Sequence, residues 1–250
     1  MKNPPDIAVI IPTCDRRNMI IDAINSVQNQ TLRPTIIYIC DNGVSHIETN
    51  IPQNAANIKI VHLKLAPRIG ASAARNEALR LCSTKFVAFL DDDDLWHSDF
   101  LLNSYNFLIY HQVDCTYGSK YIKQHGLIKP YKCVKDSDLN IFTLLRSNPG
   151  VGGINLFIKT ETIKQINGFD ISLPRANDRS LAIDLLLNKF KLKSCESAVS
   201  IMNNHNESRL RKNKIGLIHF YIKYRKLFPI HSFLFFIIKT FVSSLKYNFK

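Results

Sequence analysis

Four short, mostly apolar runs mark the first part of the chain. They are IAVII at residues 7–11, IIYIC at 36–40, IKIVHL at 58–63 and FVAFL at 86–90. The runs are rich in β-branched and aromatic residues, and they lack the regular polar alternation of a sheet with one wet face. This pattern is typical of strands that are buried on both faces. We therefore predict four buried strands.

Two segments between these runs show a helical period. The apolar positions of residues 17–30 recur at Met19, Ile20, Ala23, Ile24 and Val27, and those of residues 71–82 at Ala74, Ala78, Leu79 and Leu81. The resulting order of strands and helices predicts an α/β fold with a mostly parallel central sheet flanked by helices. Ligands of such sheets bind outside the carboxyl ends of the strands. The sequences at those ends are PTCDRR, DNG, KLAPRIG and DDDD.

The acidic block at residues 91–94 directly follows the fourth run. Four adjacent carboxylates repel one another, and stability alone gives no reason to end a buried strand in this way. A hard divalent cation such as Mg²⁺ or Mn²⁺ relieves the repulsion, because it binds carboxylate and phosphate oxygens. Strand alternation directs Asp91 and Asp93 to the same side. The alternative is that Asp94 and Asp92 cap the next helix and occupy its first turn.

Composition bounds the domain count and the compartment. The 250 residues are 46% hydrophobic with 9 Gly and 10 Pro, which fits one large domain or a domain with an appendage. The six cysteines are scattered without a CxxC pair, so neither a zinc site nor a disulfide framework is expected. The first apolar run is too short for the core of a signal peptide. We expect the chain to stay in the cytoplasm.

The basic charge is concentrated at the C-terminal end. The net charge is +13, and ten Lys and Arg residues but no Asp or Glu follow Glu207. His231 and Lys239 interrupt the apolar runs there, which are too short to span a membrane. A helical projection places on one face Leu234, Ile237, Ile238, Phe241, Val242 and Leu245. We predict that residues 211–250 form a basic amphipathic helical tail on an anionic membrane surface. The alternative is a helix packed on the core.

Five motifs in order resemble those of family 2 glycosyltransferases, which are inverting enzymes of the GT-A fold. The motifs are IAVIIPTCDRR, ICDNG, RIGASAARNEAL, FVAFLDDDDLW and INGFDISLPRANDRSLAIDLL, and the similarity runs from about residue 6 to about residue 210. The resemblance implies a Rossmann-like GT-A domain over residues 1–210. It also implies a nucleoside-diphosphate sugar donor and transfer of the sugar to an acceptor hydroxyl.

The resemblance gives roles to residues around the nucleotide. Pro12 and Thr13 match positions that line the nucleotide pocket, and Asp41 matches an acid that contacts the base. Many members have a second acid after it, whereas this chain has Asn42, and an Asp-Asn-Gly turn is the alternative. Arg75 matches a position in the helix of the third motif. Arg68 stands where many members have Asn, and it either contacts the nucleotide or phosphates or is a simple surface residue.

The acidic block contains the Asp-x-Asp element of the family. By position Asp91 contacts the ribose or orients the metal, Asp92 belongs to the nucleotide-sugar site, and Asp93 is the direct ligand of Mn²⁺ or Mg²⁺. The metal neutralises charge on the departing diphosphate. His205 resembles a late His that approaches the metal or diphosphate in some members, and an ordinary surface His is the alternative. The lone tryptophan, Trp96, is expected to pack in the core.

The segment SLPRANDRSL resembles the family segment that ends in Glu-Asp or Gln-Asp, in which the second acid is the general base. Asp178 takes that position, although Asn177 replaces the common Glu and Ser180 a frequent Asp. A positioned base contributes about 10²–10⁴-fold in rate. The alternative for Asp178 is a helix N-cap. The Gly-rich segment at residues 147–158 corresponds to a region that shapes the acceptor side.

The sequence thus predicts a metal-dependent, inverting, hexosyl-type glycosyltransferase with a UDP-linked donor. We expect a lipid-linked oligosaccharide or polysaccharide acceptor of bacterial surface glycan synthesis, and a peripheral position on the inner face of the cell membrane. One alternative is an inactive nucleotide-sugar-binding membrane scaffold, against which the retained Asp178 argues. Another is a nucleic-acid-binding protein, but the acidic block would repel phosphates, so no nucleic-acid partner is predicted. A nucleotidyltransferase would need a phosphate-binding Gly-rich loop after the first strand, which PTCDRR does not provide.

Overall fold

The computed structural model describes residues 4–16, 19–45, 58–203, 216–228, 233, 235–238 and 240. The four predicted strands are present as β1 Ile7–Thr13, β2 Ile36–Asp41, β3 Lys59–Lys64 and β4 Phe86–Phe89. The two predicted helices are α1 Ile20–Gln28 and α2 Ala71–Leu81. Every residue of β1, β2 and β4 is buried, as predicted, but β3 is partly exposed because it forms an edge of the sheet.

The rest of the described chain adds five strands and five α-helices. The strands are β5 Asp94–Trp96, β6 Cys115–Gln124, β7 Leu127–Lys132, β8 Leu156–Lys159 and β9 Leu192–Asn203. The helices are α3 Phe100–His111, α4 Ile141–Arg146, α5 Thr160–Gln165, α6 Asn177–Leu187 and α7 Gly216–Lys223. The strand β5 begins at Asp94, so the acidic block connects β4 to β5 and its last residue is the first residue of β5.

The nine described strands form one sheet in the order β3-β2-β1-β4-β8-β6-β9-β5, and β7 pairs with β6. Pairing is parallel through β3, β2, β1 and β4, and again between β6 and β9. The strand β8 is antiparallel to both β4 and β6. The predicted α/β class is confirmed. Because β1, β2 and β4 run in the same direction, their carboxyl ends meet at one edge of the sheet.

Two apolar layers cover the faces of the sheet. Along β1, Ile7, Val9 and Ile11 face the layer that contains α1 and α3, whereas Ala8 and Ile10 face the layer that contains α2. All five side chains are fully buried. Each buried isoleucine contributes about 1.5–3 kcal/mol relative to an exposed one, so this strand is a rigid support for the residues at its end.

The first part of the predicted tail packs on the same core. In α7, Phe220 and Tyr221 are buried, and Lys223 Nζ lies 2.8 Å from carboxylate oxygens of Asp170 and Asp184. Core packing, the alternative to a membrane role, therefore describes residues 216–228. Further on, Phe236 and Ile237 pack against the same core, whereas Ile238 is exposed. The membrane role of the tail stays a prediction. Among the described helices, none has the length and apolar character to cross a bilayer.

Candidate active site

The ends of β1 and β2 bring two predicted nucleotide-site residues side by side. Thr13 pairs in register with Asp41, and Pro12 with Cys40. The Oγ1 of Thr13 donates a hydrogen bond of 2.7 Å to Oδ2 of Asp92, and both side chains are buried. The acidic block is therefore fastened to the end of β1. This contact brings together residues that are 79 positions apart in the chain.

Asp41 is fully buried at the end of β2. Its Oδ1 accepts a hydrogen bond from the backbone N–H of Gly43 at 2.9 Å, and its Oδ2 lies 3.3 Å from Nε2 of His62. The first bond is the Asp-Asn-Gly turn that the sequence suggested as an alternative. Gly43 is favoured there, because a Cβ would lie 2.9 Å from the backbone nitrogen of Asp15 and 2.7 Å from its Oδ1. The contact of Asp41 with a base stays a prediction.

Asp92 links β1 to the acidic block and does not cap a helix. Nη1 of Arg16 lies 3.1 Å from Oδ1 of Asp92 and 3.2 Å from Oδ2 of Asp93. Burial raises the pKa of Asp92 to about 6, although the hydrogen bond from Thr13 and the charge of Arg16 act in the opposite direction. Asp92 thus fastens the acidic block to Thr13 and Arg16, and its side chain is less exposed than that of Asp93.

Three carboxylates of the block come together as candidate metal ligands. One oxygen from each of Asp91, Asp93 and Asp94 lies within 4.8 Å of the others. The helix-cap alternative for Asp94 is wrong, because this residue begins β5 and its Oδ1 accepts a hydrogen bond of 3.1 Å from the backbone of Asn203. A set of hard oxygen donors fits Mg²⁺ or Mn²⁺. Asp94 extends the pair that the sequence predicted.

Arg75 projects from α2 to the same cluster. Its Nη2 donates to Oδ1 of Asp91, and its guanidinium lies 5.2 Å from the ring centre of Phe169. The side chain of Arg75 is largely buried. The helix α2 begins directly after Gly70, whose φ of 87° is accessible to glycine at no steric cost.

Asp178 occupies the first turn of α6, and the cap alternative is wrong for this residue as well. Ala176 stands at the N-cap, and no side chain caps the helix. The backbone N–H of Gly153 donates to the Asp178 carboxylate. Burial raises the pKa of Asp178, the positive charges of Arg75 and Lys120 lower it, and the charge of Asp91 raises it further. Asp178 therefore shares one electrostatic environment with the acidic block.

Two consecutive glycines of the Gly-rich segment make room for the cations beside Asp178. A Cβ on Gly152 would lie 2.1 Å from Nζ of Lys120, and a Cβ on Gly153 would lie 3.2 Å from Nη2 of Arg75. Any other residue at position 152 would displace the lysine. The segment that the sequence connected with the acceptor side is therefore part of the wall around Asp178.

Lys120 is the functional candidate that sequence reasoning missed. It lies on β6, is 9% exposed and stands opposite Lys132 in the β6–β7 register. Burial lowers its pKa, whereas the charges of Asp178, Asp91 and Asp94 raise it. No local signal in CTYGSKYIKQ distinguishes this lysine from a surface lysine. Arg16 was also missed, although its position in PTCDRR directly after β1 was a usable signal.

Three more residues singled out in the sequence are Arg68, His205 and Trp96. Arg68 is exposed, has a φ of 57°, and its backbone N–H donates to the carbonyl of Asn42 at 2.7 Å, beside the Asp41 turn. Its contact with a nucleotide stays a prediction. His205 lies outside the described residues. Trp96 packs in the core as predicted: it stacks on Phe100, and its Nε1 donates to the carbonyl of Ile154 at 2.7 Å.

Two asparagines hold the segment that leads into α6. Asn76 binds the backbone of Phe169 in both directions, with Nδ2 2.7 Å from its carbonyl oxygen and Oδ1 2.9 Å from its nitrogen. Nδ2 of Asn177 donates to Oγ of Ser72 and to the carbonyl of Asp170. These bonds tie the start of α6 to α2, so that Asp178 and Arg75 are positioned by the same contacts.

The family comparison agrees with the order of these elements. The model of the family described as Glycosyl transferase family 2 matches residues 8–158, more than half of the chain. The chain belongs to this family. The matched stretch includes the ends of β1, β2 and β4 and the Gly152–Gly153 pair, and it ends before Asp178.

Similar proteins extend the comparison. WfaP of Escherichia coli, a UDP-Glc:alpha-D-GlcNAc-diphosphoundecaprenol beta-1,3-glucosyltransferase, is 28% identical over 122 residues, which are 49% of this chain and 49% of that protein. The chain thus matches about half the length of this relative. A crystal structure of S. aureus TarS with UDP-GlcNAc has a TM-score of 0.66 at 19% identity, covering 87% of this chain and 66% of that one.

A second structure has the same fold with a different donor. The mannosyltransferase PcManGT from Pyrobaculum calidifontis, in complex with GDP-Man and Mn²⁺, has a TM-score of 0.64 at 19% identity and covers 90% of this chain and 65% of that one. At this level of identity the two structures show the fold of the chain, which is the GT-A arrangement that the five motifs implied.

Proposed function

We propose that this protein is an inverting, metal-dependent glycosyltransferase of bacterial surface glycan synthesis. It transfers a hexosyl-type sugar from a UDP-sugar to a hydroxyl of a lipid-linked or polysaccharide acceptor. The observation that carries the proposal is the meeting of Asp91, Asp93 and Asp94 with Arg75 and Asp178 at the carboxyl edge of the sheet. The three carboxylates and Arg75 fit a metal-bound diphosphate, and Asp178 fits a general base.

The donor lies against the ends of β1 and β2 in this proposal. Thr13 and Asp41 border the pocket for the nucleoside, Pro12 and Arg68 flank it, and Asp92 holds its wall. Support comes from WfaP, whose name gives UDP-Glc as the donor, and from the TarS structure, which is a complex with UDP-GlcNAc. The GDP-mannose of PcManGT makes GDP the competing base in a donor panel.

The diphosphate end of the donor lies at the acidic block. A bound Mn²⁺ or Mg²⁺ held by Asp91, Asp93 and Asp94 supplies the Lewis-acid charge that a departing diphosphate requires. Arg16 and Arg75 neutralise Asp93 and Asp91 in the structure, and their guanidinium groups are suited to charge-assisted bonds with phosphate oxygens. His205 is a further candidate at this end.

Asp178 acts as the general base. Its carboxylate takes the proton of the acceptor hydroxyl while the acceptor oxygen forms a bond to the anomeric carbon and the bond to the diphosphate breaks on the opposite face. Ionisation of a largely enclosed carboxyl needs support, and the N–H of Gly153 with the charges of Arg75 and Lys120 provides it. Charge balance around Asp178 is therefore part of the mechanism.

The basic tail and the acceptor of a relative support the proposed acceptor and location. The acceptor named for WfaP is a diphosphoundecaprenol-linked sugar. A lipid-linked acceptor is confined to the membrane, and the basic tail is suited to hold the enzyme on the inner, cytoplasmic face, where anionic lipids attract Lys and Arg. We accordingly propose a peripheral enzyme with no nucleic-acid partner.

A donor panel tests the proposal. The protein is incubated with a diphosphoundecaprenol-linked GlcNAc acceptor, the kind named for WfaP, and with UDP-glucose, UDP-GlcNAc or GDP-mannose, and release of the nucleoside diphosphate is followed with Mn²⁺, Mg²⁺ or EDTA. We expect turnover of a UDP-sugar with metal and none with EDTA. Asp178→Asn should lose about 10²–10⁴-fold in transfer while it still binds UDP. Asp22→Asn, at an exposed position of α1, is the matched control. Undiminished transfer by Asp178→Asn would refute the assignment of the base.

A further inference from the structure

The β6–β7 hairpin presents a surface that the proposed reaction does not use. Among the described strands β7 pairs only with β6, and all six of its residues are exposed. Leu127 is 73% exposed and Ile128 52%. The strands are joined at His125 and Gly126, whose φ angles of 50° and 79° match the tight turn that the twist of a hairpin favours. The apolar tip is therefore held in a defined position.

Basic residues surround this tip. Residues 120–132, here called the basic hairpin, contain no Asp or Glu and four lysines, of which Lys123 and Lys129 lie near the tip. Lys123 stands directly opposite Ile128, and Lys129 directly opposite Ile122. Lysines on an edge strand discourage pairing with other strands. That role does not explain the aliphatic side chains beside them, since an isolated edge is protected better by polar residues.

An anionic membrane surface matches both the aliphatic tip of the hairpin and the lysines beside it. An anionic membrane interface accepts aliphatic side chains in its outer acyl region and attracts lysines at its phosphate groups. A second copy of the hairpin would bury Leu127 and Ile128 but would place lysines against lysines. A single-stranded nucleic acid would attract the lysines, but its bases stack on aromatic rings, whereas the exposed residues at the tip are aliphatic and Tyr131 lies at the far end of β7. The charge and the apolar tip together favour the lipid surface.

The hairpin leads directly to the candidate active site. Lys120 on β6 lies against Gly152 beside Asp178, and Nζ of Lys132 donates to the carbonyl of Asn148 at 2.9 Å, in the segment that continues to Gly152. A membrane contact at the tip would thus bring the site close to the plane in which lipid-bound molecules lie.

We propose that the basic hairpin docks on an anionic membrane surface, with Leu127 and Ile128 in the interface and Lys123 and Lys129 against the phosphate groups of the lipids. This contact is additional to the predicted C-terminal tail. It does not depend on which sugar is transferred, and vesicle binding without any substrate tests it separately from the proposed reaction.

Tryptophan fluorescence measures the insertion directly. The native Trp96 is buried, so a Leu127→Trp variant of the full chain adds one exposed reporter. Vesicles of phosphatidylglycerol and brominated phosphatidylcholine should quench Leu127→Trp strongly. The control Tyr110→Trp replaces an aromatic residue that is 82% exposed on α3 and should be quenched no more than the native chain. Vesicle binding without selective quenching of Leu127→Trp, or no vesicle binding at all, overturns the proposal.

A charge variant provides the second test. The double substitution Lys123→Gln and Lys129→Gln removes two cations and should weaken partition to anionic vesicles by roughly 30-fold, at about tenfold per 1.4 kcal/mol and about 1 kcal/mol per lysine. Lys59→Gln with Lys64→Gln removes two exposed lysines from β3, the opposite edge strand, and should leave partition nearly unchanged. Equal partition of the two double variants contradicts docking through the hairpin.

Discussion

Replacing Lys120 by methionine removes a buried cation beside Asp178 and keeps an unbranched side chain of similar length. In the structure the charge of Lys120 is one of two that oppose the effect of burial on the Asp178 carboxyl, the other being that of Arg75. Its loss should raise the pKa of Asp178. Because the base must be ionised to accept a proton, the acid limb of the pH profile of kcat/KM should move to higher pH.

The magnitude follows from the role of the base. A protonated Asp178 cannot accept the proton of the acceptor, and a positioned base contributes about 10²–10⁴-fold in rate. On the acid side, where Asp178 is protonated in the variant and still ionised in the native enzyme, Lys120→Met should lower kcat/KM by up to about this factor. The two enzymes should converge at high pH, where Asp178 is ionised in both.

A second variant, Gly152→Ala, displaces the Lys120 side chain without replacing it. In Gly152→Ala the new Cβ would lie 2.1 Å from Nζ of Lys120, so the flexible lysine must move away from Asp178. We expect a shift of the acid limb in the same direction. Lys59→Met, which replaces an exposed lysine at the start of β3, is the control.

The assay is release of UDP across the pH range with saturating metal, combined with thermal melting to show that each variant is folded. A rate loss that is equal at every pH would mean that Lys120 acts only on packing. An acid limb that stays in place in a folded Lys120→Met protein would likewise refute the reasoning.

Two further predictions concern the supports of α6. Asn76→Leu removes both hydrogen bonds to the backbone of Phe169 and should cost about 1–3 kcal/mol in the free energy of unfolding, measured by urea denaturation, together with part of the activity. Lys223→Met leaves Asp170 without its ion pair. Burial would raise the pKa of Asp170, but Lys223 lowers it overall, so the pair stabilises the fold above the ordinary pKa of 3.8. The stability difference between wild type and Lys223→Met should shrink as the pH falls below 4, and a constant difference would contradict this account.

The elements that bear the site were predictable because their signals are local. The strands β1, β2 and β4 are continuous apolar runs, and residues at their carboxyl ends meet whenever the strands are parallel. Thr13, Asp41 and the acidic block could be placed at one edge on this basis alone. The motif order added Asp178, which has no local signal beyond a carboxylate at the start of a helix.

Other parts of the site depend on contacts between distant residues. Asp94 joins the candidate metal ligands because β5 pairs with β9, and the backbone N–H of Asn203, 109 residues away, donates a hydrogen bond to its carboxylate. Lys120 faces Asp178 only because β6 lies beside the Gly152 segment. The packing of α7 on the core through Lys223 was likewise not predictable, because the sequence of this segment indicates only a basic amphipathic helix. Contacts between elements that are far apart in the chain leave no periodic pattern in the sequence.

The central claim is that Asp91, Asp93 and Asp94 hold a divalent metal and, with it, the diphosphate of the donor. The most direct measurement is a crystal of the protein grown with Mn²⁺ and UDP, with diffraction recorded at the manganese absorption edge. The account predicts an anomalous peak among these three carboxylates, in contact with phosphate oxygens. Bound UDP without manganese at this position would contradict it.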